Sequence, residues 1–162
     1  MSKTTENLLP MLERRRIEAQ ILGHVHETLK ASHSIEVAQQ AVADAVKASS
    51  IEQAKAMAAD VGGNTSMQTF VDRQSQWTVG GALEIEVLEQ SDRAYRFDVK
   101  RCQYSEMYRE MGLGEIGHLL SCQRDGTFCE GYDTRLKLTR TQTIMQGATH
   151  CDFSYRLEES EE

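Results

Sequence analysis

Apolar and polar positions repeat with two different periods along the chain, and the change falls near Gly81. Ahead of it the period is helical. Ile17, Ile21, His24 and Val25 recur at helical spacing, as do Ile35, Ala38, Val42 and Ala45, which predicts two helices with apolar faces at those positions. Ser34 is placed to cap the second. Ser50 followed by Gln53 has capping-box spacing, so a third helix is expected to open there and to carry Ala54, Met57, Ala58 and Val61. Gly62-Gly63 then supply the left-handed backbone of a helix stop. A fourth helix turns Met67, Phe70, Val71 and Trp77 inward and stops at Gly80-Gly81.

After Gly81 the period becomes two. Leu83, Ile85 and Val87 alternate with Glu84 and Glu86, a polar turn covers Gln90 to Arg93, and Tyr95, Phe97 and Val99 alternate again, which predicts an antiparallel hairpin. Short helices are expected over Tyr104 to Met111 and from Gly114 to about Arg124. Strands over Thr134 to Ile144 and His150 to Leu157, joined by a turn at Gly147, close the chain. Helices first and strands later predict an α+β fold, a helical N-terminal half packed on a four-stranded antiparallel sheet with inserted short helices. Length (162 residues), one proline (Pro10), the lack of long loops and the lack of a repeat predict a single domain over 1–162.

Composition narrows the class of function. Hydrophobic residues make up 40% and charged residues 27%, a globular balance, and no apolar run approaches the roughly 18 residues of a membrane span. The N-terminal stretch lacks the apolar core of a signal peptide, so a cytoplasmic location and no membrane partner are expected. A net charge of -7 repels phosphate backbones and argues against a nucleic-acid partner. Arg14-Arg15-Arg16 reads as a solvated helix face, and Glu158-Glu159-Ser160-Glu161-Glu162 as a frayed acidic tail. A small-molecule substrate is the expected partner, and self-association is left open.

Candidate chemistry gathers in the second half, which holds all four cysteines: Cys102, Cys122, Cys129 and Cys151. His118, Cys122 and Asp125 stand at i, i+4 and i+7 and share one face of a helix that continues so far. A thiol beside an imidazole and a carboxylate suits nucleophilic chemistry, although Ile116, Leu119 and Leu120 supply an obvious buried face there. On the last strand, alternation puts Cys151, Phe153 and Tyr155 on the core side and Asp152 on the other. Arg140 falls in phase with Leu136 and Leu138, and Arg101 with Tyr95, Phe97 and Val99. An arginine on a core face needs a partner, either a neighbouring carboxylate or an acidic ligand. The cysteine spacings match no zinc-finger pattern, yet a zinc site assembled from Cys102, Cys122, Cys151 and His118 or His24 stays open. No cofactor is favoured. Phosphate loops, serine elbows and HExxH patterns are missing from the sequence.

Together these segments resemble a known family. Phe97-Asp98-Val99-Lys100-Arg101-Cys102-Gln103-Tyr104, Ser121-Cys122-Gln123-Arg124-Asp125, Thr139 to Gly147, and Cys151-Asp152-Phe153-Ser154-Tyr155 are similar, in order and spacing, to the L-2-amino-thiazoline-4-carboxylic acid hydrolase family. The chain departs from that pattern at Gln103, where proline is usual, at Ser121, where a second cysteine is frequent, and at Ala148, often acidic. The resemblance implies hydrolysis of a cyclic amidine-like carbon, with Cys122 as nucleophile or polarising thiol, Asp125 as general acid/base and Arg140 as carboxylate anchor. Cys102, Cys151 and Tyr104 would line the pocket, with Asp152 as a second acid. Two other readings remain: a non-catalytic module resembling 4-vinyl reductase-type ligand-binding domains, and a zinc-holding structural protein.

Overall fold

The computed structural model describes residues 9–159; the first eight residues and the end of the acidic tail, residues 160–162, lie outside the described residues. Helices α1 (Met11–Ser32) and α2 (Ile35–Asp60) form a hairpin, and the Ser34 side chain accepts from the Val37 N–H to cap α2. Helix α2 does not break at Ser50. That hydroxyl is buried mid-helix and donates to the Arg124 carbonyl at 3.1 Å. Val42, Val46, Ala54 and Met57 form one continuous buried stripe past it, and packing of a long face outweighs a local capping signal. Ala45, expected on that face, is exposed, and Val46 takes its place.

The apolar face expected on α1 is also corrected. Ile17, Ile21 and Val25 are 50%, 64% and 39% exposed, while Met11, Arg15, Ala19, Gly23 and His26 are buried. Close approach selects the buried side: a Cβ on Gly23 would lie 3.0 Å from Leu113 Cδ2. Helix α3 (Met67–Thr78) follows the Gly62-Gly63 stop, opened by a reciprocal capping box between Ser66 and Thr69. Met67 and Phe70 point into the core, with Val71 and Trp77 packed against it.

Strands β1 (Leu83–Gln90), β2 (Ala94–Cys102), β3 (Leu136–Thr139) and β4 (Cys151–Leu157) form one antiparallel sheet in the order β1-β2-β4-β3. The last strand therefore lies between β2 and β3, with Phe97 opposite Phe153 and their rings stacked 4.8 Å apart. Glu84 pairs with Arg101 but Ile85 with Val99, so Lys100 is an extra residue and β2 bulges. The bulge reverses the phase expected from alternation. Arg101 turns to the surface, held by Glu106 at 3.0 Å and Glu84 at 3.7 Å. Cys102 takes the inward place instead.

Helix α4 (Gln103–Glu110) follows directly, and the Gln103 N–H donates to the Ala82 carbonyl at 2.9 Å, a bond proline could not make. After a turn, a π-helical turn (His118–Cys122) runs into α5 (Gln123–Tyr132), which lies between α2 and the sheet. The strand expected over Thr134 to Ile144 stops at Thr139. Asp152 captures the next amides, accepting from Thr141 N–H at 2.9 Å and Gln142 N–H at 3.0 Å. A 3₁₀ turn (Ile144–Gln146) and Gly147, at φ 103°, complete the return to β4.

The result is an α+β fold with a helical layer over an antiparallel sheet. One buried cluster fills the space between sheet, α3 and α5 around Phe70, Phe97, Phe128 and Tyr155. A second joins α1, α2 and α4 around Val42, Val46, Met107 and Tyr108. Trp77, Leu83 and Cys102 touch both, and the candidate site lies at this junction. Among the described residues, no helix is long and apolar enough to cross a membrane.

Candidate functional site

A cavity of about 60 Å³ opens at the junction. Where one water needs roughly 10–15 Å³ on the same measure, this is room for a few waters. Its thiols are Cys102 at the end of β2, Cys122 at the end of the π turn and Cys151 at the start of β4. Trp77 and Phe153 supply aromatic walls, and the Tyr104 hydroxyl donates to the Trp77 carbonyl at 3.1 Å. Ser121, at the position where the motif often has cysteine, also lines the cavity and shares a hydrogen bond with the Tyr108 hydroxyl.

The charged centre is an ion pair. Arg140 Nη1 lies 2.7 Å from Asp125 Oδ2, its Nη2 donates to the Cys122 carbonyl at 3.1 Å, and its guanidinium sits 5.0 Å from the centroid of the Phe153 ring. Of the two partners foreseen for Arg140, the structure supplies the carboxylate. Burial raises the Asp125 carboxyl above its ordinary value, with Arg140 pulling the other way. Burial, then the neighbouring Asp125, pushes the Cys122 thiol up to about 12. Burial likewise raises Cys102, and pushes Cys151 up to about 11, where its sulfur accepts from the Ile144 N–H at 3.2 Å. These are protonated thiols at neutral pH, set around a carboxyl that burial biases toward its acid form.

Of the residues singled out by sequence, Cys102, Tyr104, Cys122, Asp125, Arg140 and Cys151 all line this cavity. Two do not. The i, i+4, i+7 face assumed a regular α-helix, but the π turn His118–Cys122 changes the phase, and His118 does not line the cavity. Asp152 stands outside it as the cap of the Thr141–Gln142 turn. Burial alone would raise its carboxyl, but hydrogen bonds from Thr141 and Gln142 hold it below the usual range. Among the described residues, no three His, Cys, Asp or Glu side chains gather closely enough to hold a metal ion. His24 is exposed on α1.

A family model described as L-2-amino-thiazoline-4-carboxylic acid hydrolase matches residues 14–155, a span that includes every residue lining the cavity. The chain belongs to that family. No curated protein matches the chain. Among solved structures, it is similar to the phenol-responsive sensory domain of the transcription activator PoxR with phenol, at 12% identity and TM-score 0.53, over 85% of this chain and 73% of that one. It is also similar to a trafficking protein particle complex subunit 3 from Naegleria fowleri covalently bound to palmitic acid, at 10% identity and TM-score 0.52, over 91% and 96%. At such identities these likenesses speak for the fold alone.

Within this thiazoline-hydrolase family member, the structure adds two charged cavity residues that sequence reasoning missed. Arg15 and Arg124 are only 2% and 6% exposed. Arg15 was hidden in a basic run that reads as solvated surface. The signal lay in its neighbours: Met11, Arg15, Ala19 and Gly23 recur every four residues, and the small side chains mark the face that packs closely. Arg124 sits beside Asp125, but neighbouring positions on a regular helix diverge, so nothing in the spacing pointed to it.

Proposed function

We propose that this cavity hydrolyses a small carboxylated ring containing sulfur and nitrogen, such as 2-amino-thiazoline-4-carboxylate, at its amidine-like carbon. The observation carrying this reading is Asp125 paired with Arg140 beside Cys122, all lining one cavity. Membership of the thiazoline hydrolase family supports the choice of ring.

The carbon attacked is bonded to the ring sulfur, the ring nitrogen and an exocyclic amine. Protonating nitrogen makes it electrophilic, and Asp125 in its acid form is the proton donor. Arg140 engages Asp125 through Oδ2, which orients the carboxyl. Water adds to the carbon and returns a proton to Asp125. The carbon–sulfur bond then breaks, sulfur takes up a proton, and N-carbamoyl-cysteine leaves with a free thiol. Cys122, a neutral thiol at about 12, acts as a hydrogen-bond donor to the developing tetrahedral centre rather than as a thiolate nucleophile.

A second reading is a non-catalytic module for a small apolar ligand. The aromatic walls of Trp77 and Phe153 favour it. The ion pair inside the cavity favours the hydrolase. Asp125→Asn decides between them: kcat/KM is expected to fall about 10²- to 10⁴-fold, with ligand binding changed only a few-fold. Cys122→Ser should keep activity to within about tenfold, because a hydroxyl can still donate. Full turnover in the Asp125 variant would overturn the reading, and loss of all turnover in Cys122→Ser with the fold intact would make Cys122 the nucleophile.

A further inference from the structure

Arg140 is the arginine the motif offers for a substrate carboxylate, yet it is already engaged by Asp125, the Cys122 carbonyl and the Phe153 ring. Arg15 and Arg124 are differently placed. Both line the cavity from its helical side, and they share a single carboxylate, Glu18. Arg15 Nη1 contacts both Glu18 oxygens at 3.1 Å, and Arg124 Nη2 reaches Oε2 at 3.4 Å. Their other partners are neutral: Gln53 Oε1 at 3.3 Å from Arg15, and Ser49 Oγ and the Leu120 carbonyl at 3.2 and 3.3 Å from Arg124.

The charges do not balance. Three guanidiniums (Arg15, Arg124 and Arg140) meet at most two negative charges, Glu18 and, when ionised, Asp125, and a surplus of positive charge on buried side chains is costly unless an anion joins it. Burial and the adjacent Arg15 charge pull the Arg124 guanidinium down to about 10, the direction expected of an under-neutralised cation. Behind Arg15 and Arg124 a second recess of about 10 Å³, room for a single water, is lined by Arg15, Gln53, Arg124 and Asp125. Gln53 Nε2, a buried donor, has no hydrogen-bond partner among the described residues. Two cationic forks lining the cavity of about 60 Å³, with a spare amide donor behind them, suit a carboxylate seated at that side of the cavity.

We propose that Arg15 and Arg124 bind the ligand's carboxylate from the cavity, with Gln53 donating through a water in the recess behind them, and that Arg140 orients Asp125 instead. This rests on the hydrolase reading only for the identity of the ring, because the charge surplus calls for an acidic ligand of any kind. Arg124 and Asp125 are consecutive on α5, so an anchored carboxylate presents the attached ring to the acid beside it. The arrangement also selects acids over neutral rings of the same shape.

The test uses Trp77, the sole tryptophan and a cavity wall, as a fluorescent reporter of binding. Affinities are measured for 2-amino-thiazoline-4-carboxylate against 2-amino-thiazoline, and for thiophene-2-carboxylate against thiophene-2-carboxamide. Wild type should prefer each acid by about tenfold or more, as charge-assisted bonds require. Arg15→Met and Arg124→Met should each reduce the preference to about threefold or less, whereas Arg140→Lys should keep it while lowering turnover. Should either methionine variant fail to fold, Glu18→Gln carries the test: removing the internal carboxylate should raise the preference several-fold. A wild type indifferent to the carboxylate, a preference that follows Arg140 alone, or an unchanged preference in Glu18→Gln would each overturn the anchor. An anchor that behaves as described in a protein that never opens the thiazoline would sink the substrate and leave the anchor standing.

Discussion

On the proposed reading, two protons govern the chemistry at the scale of single residues, one on Asp125 and one on Cys122. Folding raises the Asp125 carboxyl, so the folded chain holds its proton over a pH window where the unfolded chain has lost it. The resulting stabilisation is complete below the unfolded value, about 3.9, and is lost as pH climbs through the folded value. Unfolding curves of wild type and Asp125→Asn across acid pH should therefore show the wild type losing stability relative to the variant as pH rises. A relative gain would mean that the Arg140 ion pair outweighs burial. The thiols follow the same sign at higher pH. Cys122 and Cys129 stand near 12 and Cys151 near 11, so their share of stability is present below the unfolded thiol value, about 8.5, and is lost above it. At pH 8 the folded protein should react with iodoacetamide much more slowly than the urea-unfolded chain; equal rates would show a thiolate in the native cavity.

Among the elements, α5 is the one on which the site depends, and glycines show where it is confined. A Cβ on Gly131 would lie 2.4 Å from the Ile51 carbonyl of α2, backbone that cannot swing aside, whereas Gly126 has open space around it. Gly131→Ala should cost about 1–3 kcal/mol in denaturant unfolding. Gly126→Ala should stabilise by about 0.5–1 kcal/mol through helix propensity. Equal effects would mean that α2 and α5 are not in this contact. On α1, Ile21→Ser should shift stability by no more than about 0.5 kcal/mol, despite removing an isoleucine from the apolar stripe that sequence made its inner face.

Elements also mark where the sequence was legible. The hairpin of β1 and β2, the Gly62-Gly63 stop and the Ser34 cap were readable because each rests on neighbours in the chain. The β2 bulge and the π turn were not: one extra residue in each shifts the phase, and alternation or 3.6-residue spacing assumes there is none. That is why Arg101 was expected on the core face and His118 on one face with Cys122 and Asp125, and why Cys102, out of phase with that core face, nonetheless reaches the cavity. The shortened β3 has the same origin, since Asp152 competes for its amides through a side chain.

At the scale of the whole molecule, the cavity exists because two cores meet incompletely. The cluster around Phe70 and Phe97 and the cluster around Val42 and Tyr108 share Trp77, Leu83 and Cys102, and the open space lies between them. Six of the eight site residues named from sequence converge on that space from α4, the π turn, α5, the two inner strands and the segment following β3. The cationic side facing them comes from α1 and α5, and pairwise spacing within one element could not reveal it. A net charge of -7 over the chain coexists with this local positive surplus, so the helical side of the cavity is a small basic patch in an acidic protein. The hydrolase reading is tested most directly by incubating purified protein with 2-amino-thiazoline-4-carboxylate and following free thiol and N-carbamoyl-cysteine together. Wild type should release both in equal amounts and Asp125→Asn neither at a comparable rate; a ring that binds at Trp77 but yields no thiol, or thiol released equally by both proteins, would contradict it.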